Sequence, residues 1–268
     1  MSMEPYRKLG RASSGVPGID RLLKGGKPTG EISLYCKPGR VSSGVPGLDE
    51  LLNGGIPDGK VVLVTGPAGT GKTTFAAQFV SEGVRRGERG VFVTLEQDRE
   101  KLKSDLCGVG IDMTGVTFLG GNAAELSHWR KKVKANWPDM IAEVEEVVRE
   151  RRAKRVVIDS INGLLMLIDS GSERRSALLD LSNALSRLGC TVVMTSETQN
   201  TNNLSVWGFE EFVVDGVISI MELNFENYYR HALSVRKMRG TAHDRSIVAC
   251  ALTDSGLIVY PDERVIPA

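Results

Sequence analysis

The sequence predicts an α/β protein with a mostly parallel central sheet flanked by helices and antiparallel strands at its C-terminus. Three observations carry that expectation. The stretch Val61-Val-Leu-Val-Thr65-Gly66-Pro67-Ala68-Gly69-Thr70-Gly71-Lys72-Thr73-Thr74 reads as a buried strand entering a glycine loop and then a helix. Residues 91–95, 155–159 and 190–195 are short apolar runs rich in valine, separated by longer segments with helical character, as parallel strands require. Beyond residue 215 the rhythm changes. Residues 216–221, 232–237, 247–252 and 257–260 read as strands with brief connections, which suit antiparallel pairing.

The glycine loop matches G-x-x-x-x-G-K-[ST], the P-loop that wraps nucleotide phosphates. Its glycines, Gly66, Gly69 and Gly71, let successive backbone N–H groups point inward at an anion, and the following helix adds its positive end. Pro67, Ala68, Thr70 and Thr74 complete the cradle. Lys72 supplies a point charge for the β- and γ-phosphates, and the Thr73 hydroxyl suits Mg²⁺. The motif is complete and sits between a strand and a helix, so it predicts a nucleotide-phosphate site.

Composition excludes several other classes. The chain has 268 residues, 41% hydrophobic and 25% charged, which fits one large globular α/β domain or one domain with an extension. A net charge of +1 provides no global field toward nucleic acid or anionic lipid. The longest apolar run, 163–168, is far too short to span a bilayer, and the first residues lack a signal-peptide core. Cys36, Cys107, Cys190 and Cys250 are scattered without C-x-x-C pairing. That argues against zinc or a disulfide framework and for a cytoplasmic protein with reduced thiols.

Taken in order, the chain begins with an internal repeat. Residues 10–38 recur as residues 39–67, with 17 of 29 positions identical. The first copy ends in Lys37-Pro38 where the second has Gly66-Pro67, and the Gly-Lys-Thr cradle is missing from the residues after it. It therefore reads as a truncated extension over 1–38 preceding a nucleotide-binding domain over 39–268. After the P-loop, 73–86 is predicted helical, 91–95 a buried strand, 98–106 a helix and 116–119 a short strand. Residues 121–138 give no clear period; their basic run Arg130-Lys131-Lys132 suits a solvated helix face, with nucleic acid as a minority reading. A charged helix over 140–152 leads to the strand 155–159. Ser172 resembles an N-cap, and Leu178, Leu181, Leu185 and Leu188 mark one apolar helix face. Residues 197–209 read as a polar loop.

Two acidic residues close strands. Asp159 ends a hydrophobic strand downstream of a P-loop, the Walker B arrangement, in which it would bind Mg²⁺ directly or through water. Glu96 follows the strand 91–95, expected to neighbour the P-loop strand. By position it suits either polarising an attacking water or a capping or surface role. Lys237, Arg239 and His243 cluster where a strand enters a turn; by residue type alone they suit either solvated cations or a phosphate-directed finger.

From residue 41 onward the chain resembles a single KaiC-type ATPase domain of the RecA/RadA superfamily, and more closely the one-domain archaeal KaiC-like proteins. The matching stretches are Ser43-Gly-Val-Pro-Gly-Leu-Asp49, the P-loop, Leu95-Glu96-Gln97, the strand ending Asp159-Ser160, Thr195-Ser-Glu197, residues 207–215 and Lys237-Met-Arg239-Gly-Thr-Ala-His243. The resemblance implies a RecA-like core, ATP as the nucleotide, and a homo-oligomeric ring, usually of six subunits, with ATP between neighbours. It implies that Glu96 is the catalytic glutamate. It also implies that Lys237 and Arg239, with His243 as a third, reach ATP held by the adjacent subunit. Two features depart from the family's pattern. Relatives often carry two adjacent glutamates where this chain has Glu96-Gln97. Glu211 and Phe212 stand where the clock protein's second domain is phosphorylated, and neither has a hydroxyl.

The expected function is therefore slow, regulatory Mg²⁺-dependent ATP hydrolysis. One alternative is an ATP-dependent assembly module resembling the archaellum-motor member, recognised by a protein partner. Another is a RadA-like repair ATPase, although residues 197–209 contain no Lys or Arg to grip DNA phosphates.

Overall fold

The computed structural model describes residues 11–12, 27–28, 39–199, 203–225 and 228–266. The chain divides into two units, 1–38 and 39–268. In the first, β1 (Arg11–Ala12) pairs antiparallel with β2 (Lys27–Pro28). In the second, β3 (Arg40–Val41) pairs antiparallel with β4 (Ile56–Pro57). Arg11 faces Pro28 and Arg40 faces Pro57, so the sequence repeat is also a repeat of strand register. The rest of the first copy, Cys36 included, lies outside the described residues, as do 200–202 of the polar loop.

Between β3 and β4, α1 (Leu48–Leu51) is short and held at both ends. The Asp49 carboxylate accepts the Ser43 N–H at 2.8 Å, and the Arg40 guanidinium donates to the carbonyls of Leu52 and Gly55 at 3.2 and 3.1 Å. Next come β5 (Val61–Gly66), α2 (Lys72–Arg85), β6 (Gly90–Thr94), α3 (Arg99–Gly108) and β7 (Thr117–Gly120). Asp98 caps α3 by accepting from the N–H groups of Glu100 and Lys101.

The stretch without a clear period is the first part of α4 (Ala123–Arg151), broken at Asn136, whose φ of −161° and ψ of 91° leave the helical region. Pro138 explains the break: its ring removes an N–H and crowds the carbonyl four residues back. Two differently aimed segments of one apolar face blur the period. After β8 (Arg155–Asp159) come α5 (Ile161–Leu165), α6 (Gly171–Arg187) and β9 (Thr191–Glu197). The residue at the N-cap of α6 is Ser170 rather than Ser172, which lies inside the first turn and shares a 2.8 Å hydrogen bond with the Ser170 hydroxyl. Leu178, Leu181 and Leu185 are buried, as the spacing predicts. The chain closes with α7 (Glu210–Val213), β10 (Gly216–Phe225), β11 (Tyr228–Met238), β12 (Val248–Thr253) and β13 (Gly256–Arg264).

Among the described residues, nine strands form one sheet in the order β13-β12-β11-β10-β5-β9-β8-β6-β7. Pairs from β10 through β7 are parallel, and those from β10 to β13 antiparallel. One expectation fails here. β6, which leads to Glu96, does not neighbour β5, because β9 and β8 stand between them. Alternation along β5 divides the core between the sheet's faces. Val61 and Leu63 pack with Trp129, Met140 and Leu181, while Val62 and Val64 pack with Leu48, Phe75 and Phe79.

Arg155 crosses the second of these layers at 1% exposure. Its guanidinium pairs with Glu88 at 2.6 Å, donates to the carbonyls of Ser42 and Phe79 at 2.8 and 2.7 Å, and lies over the Phe79 ring. One cation thus ties the β3–α1 segment, α2 and β8 together. Arg155→Ala is expected to cost about 3 kcal/mol in urea unfolding, the low end for a broken buried pair because Glu88 can turn to water. A loss below about 1 kcal/mol would show that packing alone holds these elements.

Candidate nucleotide-binding site

The P-loop leaves β5 at the carboxyl edge of the parallel sheet, where open α/β sheets place their ligands. A cleft of about 290 Å³ opens there. Its walls come from Ala68, Gly69 and Gly71 to Thr74, from Glu96 and Gln97, Asp159 and Ser160, Thr195 and Glu197, and from Leu252 on β12. Gly66, Pro67 and Thr70 shape the loop from behind; the Thr70 hydroxyl donates to the Pro67 carbonyl at 2.9 Å. Gly71 has φ of 93°, a backbone conformation that favours glycine, and a Cβ there would lie 2.7 Å from Leu252 Cδ2, so that side chain would have to shift.

Lys72 opens α2 and is 9% exposed. Its Nζ donates to the Pro67 carbonyl at 2.6 Å. Burial lowers its pKa, opposed by the negative charges of Glu197, Asp159 and Glu96 in that order. Asp159 is the reverse case. Burial raises its pKa, while hydrogen bonds from the Thr195 and Thr73 hydroxyls act the other way, Thr73 standing 3.4 Å from Oδ1. The hydroxyl of Thr73 and carboxylate of Asp159 are hard oxygen donors side by side, as Mg²⁺ prefers. Among the described residues no three His, Cys, Asp or Glu side chains form a metal cage. A cation here would complete its shell from water and phosphate.

Glu96 reaches the cleft even though its strand is not beside β5. The Leu95 N–H donates to the Asp159 carbonyl at 3.0 Å, which folds the end of β6 against the end of β8. The Ser160 hydroxyl then donates to Glu96 Oε1 at 2.7 Å. The side chain lies across Gly163, where an added Cβ would come within 3.2 Å of Glu96 Cγ.

Lys237, Arg239 and His243 are not among the residues lining this cleft. Met238 stands opposite Gly216, and Gly216 beside Val62, so the cluster sits at the amino edge of β5, the opposite end of the sheet from the P-loop. Lys237 Nζ donates to the carbonyls of Glu211 and Val214 at 2.8 and 2.6 Å, and burial lowers its pKa. Arg239, 55% exposed, stands 3.6 Å from Asp215. His243 Nδ1 contacts the Thr241 carbonyl at 3.2 Å. Trp207 stacks on Phe209 with Arg174 over its face, so it is engaged in packing.

Sequence reasoning assigned no role to Ser160, Thr195 or Glu197. A signal existed for Glu197: it ends a buried strand as Asp159 does. Leu252 comes from a distant strand, and nothing in the linear sequence points to it.

The sheet and cleft define a P-loop nucleotide-binding protein with a RecA-like core. The family model described as the KaiC ATPase matches residues 41–264, and the chain belongs to that family. The circadian clock protein KaiC3 of Synechocystis is 33% identical over 259 residues, which is 94% of this chain but 46% of that protein. The chain thus spans about half the length of that relative. A UPF0273 protein of Thermotoga maritima is 36% identical over 265 residues and 97% of its own length is matched. The crystal structure of a KaiC-like protein from Pyrococcus horikoshii is similar with a TM-score of 0.71 and 35% identity, covering 84% of this chain and 100% of that one. No helix of the described residues is long and apolar enough to cross a membrane.

The raised pKa of Asp159 has a stability consequence. Ionising a carboxyl whose folded pKa lies above its unfolded one costs stability as pH rises through the folded value. Below the ordinary carboxylate value the cost is absent. Asp159→Asn is therefore expected to stabilise the nucleotide-free protein at pH 7 by on the order of 1 kcal/mol in urea unfolding, the gain shrinking toward pH 4. A destabilised variant at pH 7 would mean that the hydrogen bonds from Thr195 and Thr73, with attraction to Lys72, outweigh the desolvation.

Proposed function

We propose that this protein is a Mg²⁺-dependent ATPase that works as a ring of subunits, six by resemblance, with residues 39–268 as the catalytic domain and 1–38 as an extension. Turnover is slow and regulatory. The observation that carries this reading is the split arrangement of the charges. Lys72, Thr73, Asp159 and Glu96 converge at one end of the sheet, and Lys237 and Arg239 stand at the other. A cation cluster at the far end cannot serve its own chain's cleft, but a head-to-tail ring brings it to the next subunit's ATP.

Each residue then has a role fitted to its surroundings. The P-loop N–H groups and Lys72 hold the phosphates and draw charge toward the β–γ bridge. Bound Mg²⁺ supplies further charge neutralisation through Thr73 and Asp159. Glu96, fixed by Ser160, polarises the attacking water. Arg239 and Lys237 meet charge developing on the neighbour's γ-phosphate, with His243 beside them.

Gln97 lines the cleft next to Glu96, where relatives often carry a second glutamate. That favours a second reading, in which ATP chiefly orders a ring recognised by a protein partner and hydrolysis is minor. Light scattering on a sizing column with and without Mg-ATP, read with phosphate release, separates the two. A ring with turnover supports the first reading, and a ring without turnover the second.

Lys72→Ala is expected to abolish nucleotide binding, and Glu96→Gln to retain binding while losing on the order of 100-fold in turnover. Arg239→Ala is expected to bind ATP and lose turnover. Mixing it with Lys72→Ala subunits should restore part of the activity, because each supplies what the other lacks. Full activity of Arg239→Ala, or no recovery on mixing, would show that the cleft is complete within one chain.

A further inference from the structure

β9 outruns its neighbour. The β8–β9 ladder ends at Ile158 and Met194, yet β9 continues beside β5 until Glu197 faces Gly66. In β9, odd-numbered N–H groups point toward β8, as Thr191 does to the Lys154 carbonyl, and even-numbered ones toward β5, as Val192 does to the Lys60 carbonyl. By that alternation the backbone of Glu197 faces a place that β8 has left. Asn162, in the first turn of α5, fills it. The Glu197 N–H donates to Asn162 Oδ1 at 3.0 Å, and Asn162 Nδ2 donates to the Glu197 carbonyl at 3.2 Å. A side-chain amide thus replaces one rung of the sheet.

The residue so held lines the nucleotide cleft with Lys72, Asp159 and Glu96, and exerts the largest opposing charge on Lys72. The residue just before α5 is Ser160, which holds Glu96. We infer that Asn162 is a positioning residue for Glu197, and that Glu197 is a second carboxylate at the γ-phosphate end of the cleft. One short helix would then place both acids, Glu96 through a hydroxyl and Glu197 through its backbone. This rests on the ATPase reading above for the identity of the ligand.

A carboxylate held near the γ-phosphate repels it, and ADP lacks that group. Glu197→Gln is therefore expected to favour a non-hydrolysable ATP analogue over ADP by about 5- to 10-fold relative to wild type. Asn162→Ala, which frees the acid from its place, is expected to shift the same ratio in the same direction. The double variant should shift it no further than the larger single effect. ADP affinity is expected to move less than analogue affinity in each variant, a split between the two nucleotides that general loosening of the cleft would not produce. An unchanged ratio in Asn162→Ala would remove the positioning role; an unchanged ratio in Glu197→Gln would remove the second carboxylate. Binding of neither nucleotide by wild type would instead sink the ATPase reading. Hydrogen exchange at the Glu197 amide needs no nucleotide: faster exchange in Asn162→Ala supports the hold, and equal exchange overturns it.

Discussion

Burying ions at a sheet edge is the constraint on which this architecture depends. Lys72 and Asp159 both lie out of water, and burial acts against the charged form of each. Neither could stay there alone, since a desolvated charge is stable only when paired and hydrogen-bonded. The fold responds by turning polar groups from the P-loop, α2 and β9 toward these two side chains. The Pro67 carbonyl takes the ammonium, and the Thr73 and Thr195 hydroxyls take the carboxylate. The result is a cleft in which a carbonyl and two hydroxyls are aimed at the two ionisable side chains.

Supporting that edge is a rigid base. β5 is buried along its whole length between β9 and β10, with a packed layer on each face. Arg155 joins the β3–α1 segment to α2 and β8 below the cleft. The P-loop leaves this base at Gly66 and rejoins it through α2, whose Phe75 and Phe79 are buried against the sheet. The antiparallel strands β10 to β13 extend the same sheet rather than forming a separate layer. They return the chain in two directions: β12 brings Leu252 against Gly71, while the end of β11 carries Lys237 and Arg239 to the opposite edge. One continuous sheet therefore displays the cleft-lining groups at one end and a cluster of cations at the other.

α5 shows how little chain is needed to organise a site. It has five residues, yet its first turn and the residue before it contact both Glu96 and Glu197. It can do so because β8 stops short, leaving Glu197 backbone groups that water or a side chain must satisfy. The early end of one strand thus becomes the place where two acids are aligned.

Much of this was legible in the sequence. The P-loop, the Asp159 strand, the helix faces and the antiparallel C-terminal strands follow from local rules, because glycine geometry, side-chain alternation and helical spacing act within a few residues. The strand beside Glu96 was misplaced, the N-cap of α6 was put two residues late, and the kinked start of α4 gave no readable period. Strand order depends on which crossovers pack best, and a proline inside a helix rotates the apolar face beyond it. Only the tertiary structure set Leu252 against Gly71, Asn162 along Glu197, and the Lys237 cluster at the far edge from Lys72. These are spatial relations between residues from tens of positions apart to well over a hundred, governed by sheet order and register, and no local spacing encodes them.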